Sequence, residues 1–166
     1  LNLDEVNKLG EGVKAIALPD ERWDKVDIKT TNLIPNILAQ TKAEKKFAYT
    51  AMLFRDGICT EGATSNVFAV KDGILYTHPA DNHILKGITR QMIVTRVAPS
   101  LGITLIEKEF DRAFVDDADE LFFTDTIGGV IPIIKLDKNP VSGGKPGHVT
   151  LRLREALEKL MEEGLP

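Results

Sequence analysis

The chain has 166 residues, 43% hydrophobic and 28% charged, which fits one globular domain with a real core and not a disordered chain. With 21 basic against 25 acidic residues the net charge is −4, the wrong sign for a broad nucleic-acid surface. No apolar run approaches a transmembrane helix and no signal pattern opens the chain.

Leu1, Leu3, Val6 and Leu9 recur at helix-like spacing, and Gly10 and Gly12 close that segment. Val13 to Leu18 reads as a strand and Pro19-Asp20-Glu21 as a turn. Asn32 is placed to cap a helix over Leu33 to Lys46, with Pro35 in the first turn, where a missing N–H costs little. Ala48 to Arg55 is a strand ending at Asp56-Gly57, a hairpin signal. Ser65 to Val70, Asp72-Gly73 and Ile74 to Thr77 make a second hairpin. A loop from Pro79 to Lys86 leads to Gly87 and a helix over Ile88 to Ala98. A strand over Ile103 to Lys108, a short helix over Phe110 to Ala118 and a strand over Glu120 to Thr124 follow. After Gly128-Gly129 comes a strand over Val130 to Leu136, and after Lys145-Pro146-Gly147 a helix over His148 to Glu163. Leu151, Leu153, Leu157 and Leu160 are its expected apolar face, and Glu155 to Lys159 its i,i+4 pair. Hairpins mixed with helices mean α+β with a mixed, mostly antiparallel sheet.

Four segments could carry chemistry. In Asp27-Ile28-Lys29 a lysine sits between extended chain and a helix start. Its amine can bond to a carbonyl if its surroundings allow, or it can be an ordinary solvated lysine. Thr60-Glu61-Gly62-Ala63-Thr64-Ser65-Asn66 puts one carboxylate beside hydroxyls and N–H groups that suit an anion, or forms a plain polar turn. Leu85-Lys86-Gly87-Ile88-Thr89-Arg90 opens a helix on a glycine: a phosphate cradle, or simple capping of a core helix. Phe123-Thr124-Asp125-Thr126-Ile127-Gly128-Gly129 runs a strand into a hydroxyl and glycine turn, again an anion site or only a turn.

Other chemistries find less support. His78, His83 and His148 are scattered in the sequence and off metal-ligand spacing, so no metal site is expected. The single cysteine, Cys59, excludes a disulfide framework, fits a reducing cytoplasmic compartment, and is expected half-buried at a strand end. Trp23 is expected to pack. No nucleophile elbow and no Walker loop is present.

In this order and spacing the four segments resemble the fold-type IV pyridoxal-phosphate enzymes. That group includes D-amino acid aminotransferase, branched-chain aminotransferase and aminodeoxychorismate lyase. Thr77-His78-Pro79 and Gly144-Lys145-Pro146-Gly147 are similar to the group's segments too, and the likeness runs from about Val13 to the last helix. The wording is most similar to the D-amino acid (D-alanine) aminotransferases. The resemblance implies a barrel-like sheet packed with helices, pyridoxal 5'-phosphate as cofactor, and amino acid and 2-oxo acid substrates. It implies that Lys29 bonds to the cofactor and moves the proton, and that Glu61 pairs with the pyridine nitrogen. It sets Leu85 against the ring face and Gly87, Ile88, Thr89 and Thr126 on the phosphate. Ser65 and Asn66, with Thr64, fall beside the ring, and Arg22 stands behind Glu61.

Two residues depart from the pattern. Asp125 stands where small or hydroxylated residues are usual, and Ile127 where a second hydroxyl is usual. An acid opposes a phosphate unless it points away. The resemblance also implies an N-terminal domain ahead of this one, holding the substrate carboxylate, and a homodimer in the parent protein. Residues 1–12 are then the tail of that domain and its linker, 13–166 the cofactor domain, and Leu1 the mark of a cut. The expected activity is transamination of D-alanine with a 2-oxo acid by the parent, this chain being inactive alone. A branched-chain aminotransferase, a lyase of the same fold and a non-catalytic domain are the alternatives.

Overall fold

The computed structural model describes residues 8–164; the helix expected over Leu1, Leu3 and Val6 lies outside them. Strand β1 (Val13–Pro19) crosses through helix α1 (Ile34–Glu44) to β2 (Thr50–Arg55), which lies parallel to it. The antiparallel strand β3 (Ile58–Gly62) follows across Asp56-Gly57. There Asp56 and Gly57 have φ of 50° and 83°, the left-handed pair that a two-residue hairpin needs. Strands β4 (Asn66–Lys71) and β5 (Ile74–Thr77) form the second hairpin. Helix α2 (Ile88–Met92) runs through a π-helical turn (Ile93–Val97) into α3 (Ala98–Ser100). Then come β6 (Leu105–Glu107), α4 (Arg112–Asp116), β7 (Glu120–Asp125), β8 (Gly129–Leu136), β9 (Asn139–Pro140) and α5 (His148–Glu162).

The strands form one mixed sheet in the order β3-β2-β1-β8-β7-β4-β5-β6, with β9 on β8. Three pairings are parallel (β1 with β2 and β8, β5 with β6) and the other five are antiparallel. The sheet curls into a half-barrel packed with helices, the shape that the resemblance implies, and β3 and β4 come together at a short turn where Gly62 N donates to Ser65 O at 2.6 Å.

The period of two along the central strands sorts the core into layers. Val67, Ala69, Leu121, Phe123, Ile131 and Ile133 face the inside of the curl. Phe68, Val70, Phe122 and Val130 face the other way, onto Ile93, Val97, Leu153 and Leu157 of the two long helical segments. Phe68 and Phe122, opposite each other in register, stack with centroids 4.9 Å apart. Ile16, Ala51 and Leu53 take Ala39 and Ala43 of α1.

Several expectations shift. Asn32 does not cap α1: the N-cap position is Leu33, without a side-chain bond. The helix over Ile88 to Ala98 forms, but it widens into a π turn that lets both Ile93 and Val97 reach the core. Leu151 is 43% exposed, because it stands two residues before Leu153 and so on the far side of α5. The pairs on α5 are Arg154 with Glu158 at 2.9 Å and Lys159 with Glu163 at 3.9 Å, not the expected Glu155 with Lys159. Cys59 is fully buried rather than half-buried, and Trp23 is 46% exposed rather than packed. Among the described residues no helix is long and apolar enough to cross a membrane.

Candidate active site

At one rim of the half-barrel four segments meet around an open cleft of about 460 Å³. The β1–α1 connection brings Arg22, Trp23, Lys29 and the start of α1. The β3–β4 turn brings Glu61 to Asn66, the approach to α2 brings Leu85 to Arg90, and the end of β7 brings Thr124 to Thr126. All ten residues singled out in the sequence line this cleft: Arg22, Lys29, Glu61, Ser65, Asn66, Leu85, Gly87, Ile88, Thr89 and Thr126.

Glu61 sits at the end of β3 and is buried. Its Oε2 accepts from Asn66 Nδ2 at 2.8 Å and from the Leu85 N–H at 3.1 Å. Its Oε1 is paired with the Arg22 guanidinium. Burial pushes the Glu61 carboxyl up to about 7, against the pull of Arg22. Arg22 is in turn gripped by Asp20, which takes Nε at 2.8 Å and Nη2 at 2.7 Å. Burial works to raise Asp20, but the bonds and charge of Arg22 outweigh it and hold the carboxyl at about 2. Thr60, at the head of the second segment, donates its hydroxyl to Asp20 at 3.0 Å, and Asp20, read from the sequence only as a turn residue, is the acid of this network that the sequence reading leaves out. The acid two positions before Arg22 is the one signal that could have pointed to Asp20.

Lys29 lies on the exposed wall of the cleft. Gly87 N-caps α2, and among the described residues no side-chain cap bond meets the start of the helix. Gly87 is required there by space: a Cβ would come within 2.3 Å of Asn66 Oδ1. Ser65 Oγ and Thr124 Oγ1 are buried at the cleft without a hydrogen-bond partner among the described residues. Buried hydroxyls left so are costly unless something else meets them.

Asp125 is committed to its own turn. Its Oδ1 accepts from the N–H groups of Ile127 (2.9 Å) and Gly128 (2.6 Å), and its Oδ2 accepts from the Tyr49 hydroxyl at 2.9 Å. Burial and the Asp125 charge push the Tyr49 hydroxyl up, so it stays a donor. Thr89 Oγ1 donates to the Asp125 carbonyl at 2.8 Å and ties α2 to this turn.

Away from the cleft, two of the three histidines share a loop. His78 and His83 meet Asp81 on the β5–α2 loop, while His148 stands apart on α5.

Residues 5–136 match the family described as "Amino-transferase class IV". The chain is 42% identical over 154 residues to D-alanine aminotransferase of Staphylococcus aureus (strain COL), covering 93% of this chain and 54% of that protein. With D-alanine aminotransferase of Bacillus licheniformis the identity is 40%, over 89% of this chain and 52% of the relative. A solved structure, the branched-chain aminotransferase of the thermophilic archaeon Thermoproteus uzoniensis with norvaline, superposes with a TM-score of 0.84 at 31% identity. The likeness covers 91% of this chain and 52% of that one. The chain thus spans about half the length of the relatives it matches. Sequence and fold together show that it belongs to the class IV aminotransferases.

Proposed function

We propose that this chain is the cofactor-binding part of a pyridoxal-phosphate-dependent aminotransferase that moves the amino group of a D-amino acid, D-alanine foremost, to a 2-oxo acid. One observation carries the reading: a buried carboxylate, a lysine and two unpartnered hydroxyls converge on a single cleft beside a helix start. The donor set fits pyridoxal phosphate. Glu61 offers a buried anion for a protonated ring nitrogen, Ser65 and Thr124 offer free hydroxyls, and the start of α2 with Thr126 offers donors to a phosphate. Bound there, the cofactor would supply an electron sink for the charge that develops at the substrate Cα.

The chain's own residues then have separate tasks. Lys29 Nζ would take the proton from the substrate Cα and hand it on to the bound cofactor rather than back to Cα. Glu61 would hold a proton on the ring nitrogen of the bound cofactor, and Arg22 with Asn66 fixes the carboxylate that would do so. Leu85, which lines the cleft, would lie against one face of the ring. Asp125 turns its charge onto Tyr49 and the turn N–H groups, which leaves Thr126 and α2 to face the phosphate. In this reading the chain from Val13 on is the cofactor domain, another domain of the whole protein completes the substrate pocket, and the whole protein is a cytoplasmic homodimer. The likeness to D-alanine aminotransferases supports D-amino acids. The likeness to a branched-chain aminotransferase structure supports the second reading, a branched-chain donor.

The test is the visible spectrum of the parent protein loaded with pyridoxal phosphate. A lysine-bound cofactor band is expected, and Lys29→Ala is expected to remove it along with transamination. A colourless parent, or a band that survives in Lys29→Ala, refutes the proposal. A panel of D- and L-donors with a 2-oxo acid then separates the two substrate readings.

A further inference from the structure

We propose that His78, Asp81 and His83 form a binding site for one divalent transition-metal cation, with zinc as the representative ion. One ring nitrogen from each histidine and one carboxylate oxygen lie within 4.8 Å of one another. His83 Nδ1 stands 3.9 Å from Asp81 Oδ2. That is too long for a hydrogen bond. It is close to the spacing of about 3.3 Å between neighbouring ligands of a tetrahedral zinc with bonds near 2.0 Å. The two groups face each other without bonding, which is how ligands stand on two sides of an ion.

The frame around them is already fixed. His78 is buried, and its Nδ1–H donates to Pro79 O at 2.9 Å. The same Nδ1 edge stands 3.8 Å from Asp81 Oδ1, so the ring is fixed beside the carboxylate, and a ring N–H on a backbone carbonyl orients a ligating imidazole. Asp81 Oδ1 accepts from the His83 N–H at 2.8 Å, which sets that carboxylate and leaves Oδ2 unused in the loop's own hydrogen bonds. Arg90 Nη2 holds His78 O at 2.7 Å, Arg22 Nη2 holds His83 O at 3.2 Å, and Val26 N holds Asn82 O at 2.9 Å. The loop backbone is thus pinned at three points.

Closing on an ion means drawing atoms that lie within 4.8 Å of one another to the spacing of about 3.3 Å that tetrahedral zinc needs. Asp81 and His83 have that freedom, since their side chains are 34% and 33% exposed, and water can take the remaining coordination positions. Two imidazoles and one carboxylate suit zinc among the common cations; calcium and magnesium would want more oxygens. The site lies outside the cleft, and its existence does not depend on the aminotransferase reading. An ion there would stiffen the stretch that leads to Leu85.

The experiment is equilibrium dialysis of the metal-stripped protein against zinc chloride, with metal content and melting temperature read together. One zinc per chain and a raised melting temperature are expected. Asp81→Asn, which keeps the hydrogen bond to His83 N, and His83→Ala are each expected to lose both the zinc and the shift. His148→Ala is expected to keep both. No retained zinc in the parent, or zinc retained equally by Asp81→Asn and His83→Ala, overturns the proposal.

Discussion

Asp20 decides how Arg22 meets Glu61. The guanidinium stands between two carboxylates, and the two respond to pH with opposite sign. Asp20 is held down from 3.8 to about 2, so its contribution to stability is present above pH 3.8 and is lost as pH falls through about 2. Glu61 is raised from 4.5 to about 7, so the folded state holds its proton longer than the unfolded chain, and stability falls as pH rises between those values. Asp20→Asn is therefore expected to lower stability by about 1–2 kcal/mol at neutral pH, with the deficit closing between about pH 4 and pH 2. Urea unfolding of parent and variant across that range measures it, and a deficit that does not change with pH would contradict the assignment. The same network shows what was legible at this scale. Glu61 and Lys29 sit in short segments with their own signature, whereas Asp20 meets Thr60 across 40 positions and looks like an ordinary turn acid.

Elements were legible where their cause is local. The Asp-Gly pairs at 56–57 and 72–73 place both hairpins, since a two-residue turn demands φ > 0 and those residues tolerate it. The start of α5 was legible from Lys145-Pro146-Gly147, but what secures it was not. Its N-cap Gly147 has no side chain to offer. Glu120, from β7, takes the cap's place: Oε1 accepts from Val149 N at 3.0 Å and Oε2 from Thr150 N and Thr150 Oγ1, both at 2.7 Å. A cap from another element leaves no local pattern to read. Because Glu120 and Thr150 are both buried, Glu120→Ala would strand two N–H groups and a hydroxyl. It is expected to cost about 2–4 kcal/mol in a thermal or urea melt, with Glu120→Gln costing less because one carbonyl oxygen remains to accept. Equal losses in the two variants would show that the cap is not what Glu120 contributes.

At the scale of the molecule, the layers of the half-barrel follow from strand alternation, and the curl that gathers the four segments into one cleft does not. Alternation fixes which face a residue takes, and closure depends on pairings between strands far apart in the chain, such as β1 with β8. Helix α1 shows the same limit. It buries only Ala39 and Ala43 against the sheet, a stripe of small residues one turn apart. Ile34, Ile37 and Leu38 on its other side are 65%, 60% and 53% exposed, and Leu33 and Ile34 continue that surface to the cleft wall. Monomers rarely leave such an apolar patch uncovered in water. The 166-residue chain by itself is therefore expected to self-associate, with an apparent mass in sedimentation above that of one chain and rising with concentration. Replacing Ile37 and Leu38 together by Asp and Glu, on a helix face that touches none of the core, is expected to return it to one chain with an unchanged far-ultraviolet spectrum. An unsubstituted 166-residue chain that stays single at every concentration would show that this face needs no cover. Association that survives the double substitution with the fold intact would place the contact elsewhere on the surface.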